Sequence, residues 1–79
     1  MVSAKWRKRI QTAEDLHHGD PCIAGTRIPV VTIVSSLADG MTAAEVLAEY
    51  PQLSLEDIYA ALAYAADSVR HESVVPLPA

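Results

Sequence analysis

The hydrophobic period of this chain changes at one place, the stretch Gly25-Thr26-Arg27-Ile28-Pro29-Val30, and that change limits what it can fold into. Before it, short apolar runs alternate with polar and basic residues. After it, apolar residues recur three and four apart, the period of a helix packed on one face. Gly25 admits a backbone angle that other residues resist, and Pro29 suits the first position of a helix. An extended N-terminal part therefore joins a helical part at a fixed bend.

The helical part divides into three. Val30, Ile33, Val34 and Leu37 form the apolar face of a first helix, closed by Asp39-Gly40 with Gly40 as a left-handed cap. Thr42 and Glu45 form a capping box for a second helix, whose face is Ala43, Val46, Leu47 and Tyr50. Pro51 stops it, because a residue before proline avoids helical geometry. Ser54 caps a third helix, with Glu56 and Asp57 in its first turn. Leu55, Ile58, Leu62, Ala65 and Val69 then recur as a seam suited to another helix, with Glu56, Asp57, Tyr59, Ala60, Ala63 and Asp67 expected outside it. Ala60, Ala61, Ala63 and Ala66 let neighbours approach closely.

The N-terminal part is less regular. Trp6, Ile10 and Thr12 fall on one face of an extended run and Arg7, Arg9 and Gln11 on the other, which describes a short strand with a cationic face. A solvated, frayed terminus accounts for the same residues. Residues 13–20 are polar and read as a loop, and Pro21 to Ala24 form a second extended run that can pair with the first. The expected fold is mostly α: a short N-terminal β ribbon and a three-helix, helix-turn-helix domain, homeodomain-like or winged-helix-like. One small domain spans 1–79, with a basic arm and ribbon over 1–28, the helical unit over 29–70 and an irregular tail over 71–79.

With 79 residues the core is modest, and a single cysteine, Cys22, allows no internal disulfide. Cytoplasmic location and self-association, as a dimer through the ribbon and third helix, are the expectations. No apolar run reaches membrane-spanning length, and the basic N-terminus is not followed by the apolar stretch of a signal peptide. The net charge of −4 is unevenly placed. Residues 1–27 hold five basic and three acidic side chains, whereas residues 28–79 hold Arg70 against seven acids. Phosphate contacts must therefore come chiefly from Lys5, Arg7, Lys8 and Arg9, as a ribbon in a major groove or an arm in a minor groove. Two copies would neutralise about eight phosphates. The same four cations also fit a charged end that only aids solubility. The third helix, which a helix-turn-helix would place in the groove, offers only Tyr59 as a non-acidic hydrogen-bonding side chain before Arg70. That favours protein contacts for it.

Arg27 has two readings: an anchor to helix-end carbonyls or to Asp39 or Glu45, or a ligand for phosphate or a partner's carboxylate. His17-His18 lack a sequence neighbour to complete a metal or acid–base site, and no zinc ligand set, cofactor motif or catalytic constellation is present. No enzymatic activity is expected.

The run Gly19-Asp20-Pro21-Cys22-Ile23-Ala24-Gly25-Thr26-Arg27-Ile28-Pro29-Val30 resembles the signature G-x-P-x-I-x-G-T-R-I-x-V of a prokaryotic family catalogued as domain of unknown function four-three-three. The resemblance continues through Gly40-Met41-Thr42, Glu45-Val46 and Tyr50 to Ile58, and ends at Ala60 to Ala65, covering about residues 10–66. It implies a homeodomain-like fold and, from members that are VapB-type antitoxins, an operator-binding, autoregulating antitoxin of a PIN-like ribonuclease toxin. Asp20 stands where the family often has Lys, and the tail beyond Val69 is short. The expected DNA contacts are Lys5, Arg7, Lys8, Arg9, Arg27 and Tyr59. The expected partner contacts are Leu55, Ile58, Leu62 and Val69 with Val74, Val75 and Leu77 in the tail. The alternative expectation is an interaction or dimerisation module without a DNA role.

Overall fold

The computed structural model describes residues 4–11 and 20–71. The expected loop from Thr12 to Gly19, with His17 and His18, and the tail contacts Val74, Val75 and Leu77 lie outside them. A 3-10 helix (Ala4–Arg9) leads into β1 (Ile10–Gln11), followed by β2 (Cys22–Ile23), α1 (Val30–Ala38), α2 (Ala43–Glu49) and α3 (Leu55–His71). The strands pair antiparallel, Ile10 with Ile23 and Gln11 with Cys22, as a minimal ribbon.

The extended segment expected from Trp6 is therefore corrected: residues up to Arg9 are helical, and only Ile10 and Gln11 are strand. The reason is tertiary. A 3-10 helix has three residues per turn, so Trp6 and Arg9 share one face. Both are used on α3. The Trp6 ring meets Tyr64 edge-on at 5.9 Å, and the Arg9 guanidinium reaches Asp57 Oδ1 at 3.1 Å. In a strand these two side chains would point to opposite sides.

The bend at Gly25 is a closed turn. Gly25 has φ +80°, and the backbone N–H of Thr26 and the Thr26 hydroxyl both donate to the Ile23 carbonyl, at 3.0 and 2.8 Å. Thr26 Oγ1 in turn accepts from the Ile28 N–H at 3.1 Å, and the Ile23 N–H donates to the Ile28 carbonyl at 3.0 Å. Pro29 stands one position earlier than expected, as the extended N-cap of α1 with φ −65° and ψ 145°. The Val30 N–H donates to the Pro21 carbonyl at 2.9 Å, so the ribbon itself satisfies a helix-end donor.

The caps follow the sequence closely. Gly40 has φ +103°, its N–H donates to Leu37 and that of Met41 to Ser36, the paired bonds of a Schellman ending. The Thr42–Glu45 capping box is closed in both directions, at 2.8 and 3.1 Å. Ser54 and Asp57 exchange the same two bonds at the start of α3, at 2.9 and 3.3 Å.

The core joins Ile23 and Ile28 of the ribbon region to Val30 and Ile33 of α1, Val46 of α2, Leu53, and Ile58 and Ala61 of α3. The apolar faces expected for α1 and α2 are the ones that pack. That of α3 is not. Of its expected seam only Ile58 is fully buried, whereas Asp57, Ala60 and Ala63, expected outside, are each at most 8% exposed. Small residues let the 3-10 helix and α1 lie close against α3, so its alanine face turns inward and its large residues turn out.

Candidate nucleic-acid interface and open helix face

Two surfaces stand out, one on the 3-10 helix and one on α3; Lys5 and Arg9 of the first line a common recess with Glu56 and Tyr59 of the second. The first is cationic. Lys5, Arg7, Lys8 and Arg9 are all exposed residues of a helix fastened to the domain at Trp6 and Arg9. The four cations are not equivalent. Arg9 is half-exposed but hydrogen-bonded to Asp57, whose other carboxylate oxygen accepts the Ser54 backbone N–H. Asp57 thus ties the basic helix to the cap of α3, and Arg9 is a fastening before it is a phosphate ligand. Arg7 lies over the Trp6 ring at 4.7 Å and 3.9 Å from Asp67, a distance at which an exposed pair adds little. Lys5, Lys8 and Arg9 border one recess of about 490 Å³ with Ala24 on its rim.

Arg27 does not tie the two halves together. It is exposed, and among the described residues its side chain has no hydrogen bond or ion pair; Glu45, one of its expected anchors, is occupied by Thr42. The link is Arg9 to Asp57 instead. Sequence separation hid it, since the two stand 48 positions apart. One local signal was present: Asp57, three residues after Ser54, completes a capping box and so must sit beside the helix start.

The second surface is the outer face of α3. Leu55, Leu62 and Val69 are 40, 41 and 64% exposed, and Tyr59 is 60% exposed. With exposed Ala66 they recur at steps of four and three along one side. Ile58 belongs to the protein's own core and faces no partner. Tyr59 belongs to this apolar stripe. Glu56 and Arg70 stand at its two ends. As a groove-reading helix α3 is unsuited, because its outward side offers apolar groups and an acid to phosphate.

A shallow apolar recess of about 290 Å³ lies elsewhere, between α1 and α3, with Val31, Val34 and Tyr64 in its walls. Among the described residues no three or more metal-ligating side chains converge, and no helix is long and apolar enough to cross a membrane. The Glu45 carboxyl is held below its ordinary range, first by the backbone N–H of Thr42 and then by the Thr42 side chain; this is a capping effect.

Ribbon, bend and three helices define a small, mostly helical protein of helix-turn-helix type. The chain belongs to the family described as "Protein of unknown function (DUF433)", whose model matches residues 10–65. It is 34% identical over 59 residues to the uncharacterized protein y4eO of Sinorhizobium fredii (strain NBRC 101917 / NGR234), a match that covers 75% of this chain and 27% of that protein. The chain thus spans about a quarter of the curated relative's length. It is also similar to the crystal structure, at 2.00 Å resolution, of a DUF433 member from Anabaena variabilis ATCC 29413, with a TM-score of 0.74 and 37% identity, covering 78% of this chain and 61% of that one.

Proposed function

We propose that this protein is a cytoplasmic regulator of the antitoxin kind, which binds operator DNA and engages a PIN-like ribonuclease toxin. The observation that carries the DNA half is the fastened basic helix. Cations on an ordered helix lose less freedom on meeting phosphates than cations on a loose arm. Lys5, Arg7 and Lys8 are the contacts in this reading, with Arg9 holding the helix that presents them. α3 serves protein contacts. The acidic helical unit suits a toxin whose RNA site is basic.

The test is the salt dependence of binding to the DNA upstream of the gene. Replacing Lys5, Arg7 and Lys8 by Gln, with Arg9 left in place, is expected to weaken binding and to flatten the dependence by about 0.9 per lost phosphate contact. Binding that ignores salt, or a triple variant that binds as well as the parent, removes the DNA role. The toxin half is tested by co-purification with the product of the adjacent gene. A second reading, an interaction module with no DNA role, is favoured by the open stripe on α3 and predicts that the triple variant keeps all partner binding.

A further inference from the structure

The outer face of α3 needs an occupant. Leu55, Tyr59, Leu62, Ala66 and Val69 follow one another at steps of four, three, four and three, the seam of a two-helix contact, over a helix about 25 Å long. Four of the five are large and at least 40% exposed. Their order along the helix is close to self-complementary about Leu62. Turned end for end, the helix sets Leu55 against Val69 and bulky Tyr59 against small Ala66, and it brings Leu62 to itself.

The charges agree. Glu56 near one end and Arg70 near the other lie on the same flank of the stripe, each one residue and so about 100° beyond a stripe residue, Leu55 and Val69. Among the described residues neither has a hydrogen bond or ion pair within the chain. In a two-fold antiparallel pair, equal flanks adjoin, so each Glu56 meets the other copy's Arg70. A parallel two-fold pair would put the two Glu56, and likewise the two Arg70, on opposite sides of the seam, leaving these charges without each other as partners, and would align the helix dipoles unfavourably.

We propose that a second copy of this chain covers the face, α3 against α3, antiparallel, with Leu62 at the two-fold axis. The inference rests on the reading of α3 as a protein-contact helix and names its partner. It also joins the two surfaces. Ala60 and Ala63, on which the 3-10 helix rests, lie on the Glu56 flank, so the two-fold puts both basic helices on one side of the pair. Two related cationic helices on one side fit a two-fold-related DNA site.

Three sets of variants of the full chain test this. By sedimentation equilibrium the parent is expected to be dimeric, and Leu62→Glu, at an already half-open position, to weaken the dimer at least about tenfold while the helical circular dichroism is kept. Leu62→Cys is expected to cross-link to its own copy on mild oxidation, whereas Val69→Cys does not; Cys22 is fully buried and does not compete. Glu56→Arg and Arg70→Glu are each expected to weaken the dimer, and the double variant to restore it. A chain that is monomeric at every concentration, or Val69→Cys cross-linking better than Leu62→Cys, overturns the proposal. A monomer that still retains the adjacent gene's product, and loses it on Leu62→Glu, overturns the second copy but leaves α3 a partner helix. A monomer that retains nothing removes both.

Discussion

Gly25 and Arg27 stand two residues apart in one turn and differ in what they constrain. Gly25 is fixed by backbone angle alone. A Cβ there would meet nothing within 4 Å, so its φ of +80°, rather than crowding, excludes other residues. Gly25→Ala is expected to lower stability by about 1 kcal/mol, and Gly25→Asn by less, because Asn tolerates the left-handed region. Urea denaturation of the two variants separates strain from sterics; equal losses would point to crowding. Arg27, by contrast, is exposed and has no partner among the described residues. The turn is instead closed by the Thr26 hydroxyl, which accepts from Ile28 and donates to Ile23.

At the scale of elements, two capping boxes set where α2 and α3 begin, and each carries a prediction. Glu45 has a folded-state pKa below its ordinary value because its carboxylate accepts the Thr42 N–H. The stability it adds is fully present above the ordinary carboxylate range and is lost as pH falls through the depressed folded value. Thermal unfolding from neutral pH down to about pH 3 should therefore show a smaller acid loss for Glu45→Gln than for the parent. The box on α3 does more. Asp57 both caps the helix and holds Arg9, so Asp57→Ala is expected to cost about 2 kcal/mol. Arg9→Met is expected to cost less than about 1 kcal/mol, since the guanidinium is half-exposed. A double-mutant cycle should give a clear coupling between them, and additive losses would show that the Arg9–Asp57 pair does not hold the 3-10 helix.

For the whole molecule, the division of charge becomes a division of surfaces. The basic helix is fastened to the acidic helical unit chiefly by the short Arg9–Asp57 ion pair and the Trp6–Tyr64 ring contact, with the looser Arg7–Asp67 pair beside them. A net charge of −4 and a local cationic helix therefore coexist in one small body. The salt slope reads this directly: a two-fold pair presents the cations of two basic helices on one side, and its slope is expected to be about twice that of a single copy.

The residues alone determined the three helices, their caps and the bend at Gly25, and offered two short runs able to pair. Those features are local: a Ser or Thr with an acid three residues on, a glycine after a helix, an apolar stripe of period three to four. Only the tertiary structure decided which side of α3 faces inward. Its periodicity offers two apolar faces, one of alanines and one of large residues, and sequence gives more weight to size. The alanines turned in because the 3-10 helix and α1 pack close, leaving Leu55, Tyr59, Leu62 and Val69 outside. The same long-range contact made residues 4–9 a helix and gave Arg9, not Arg27, the task of joining the two halves. A contact across 48 residues leaves no period in the chain, so it emerges only once the helices are in place.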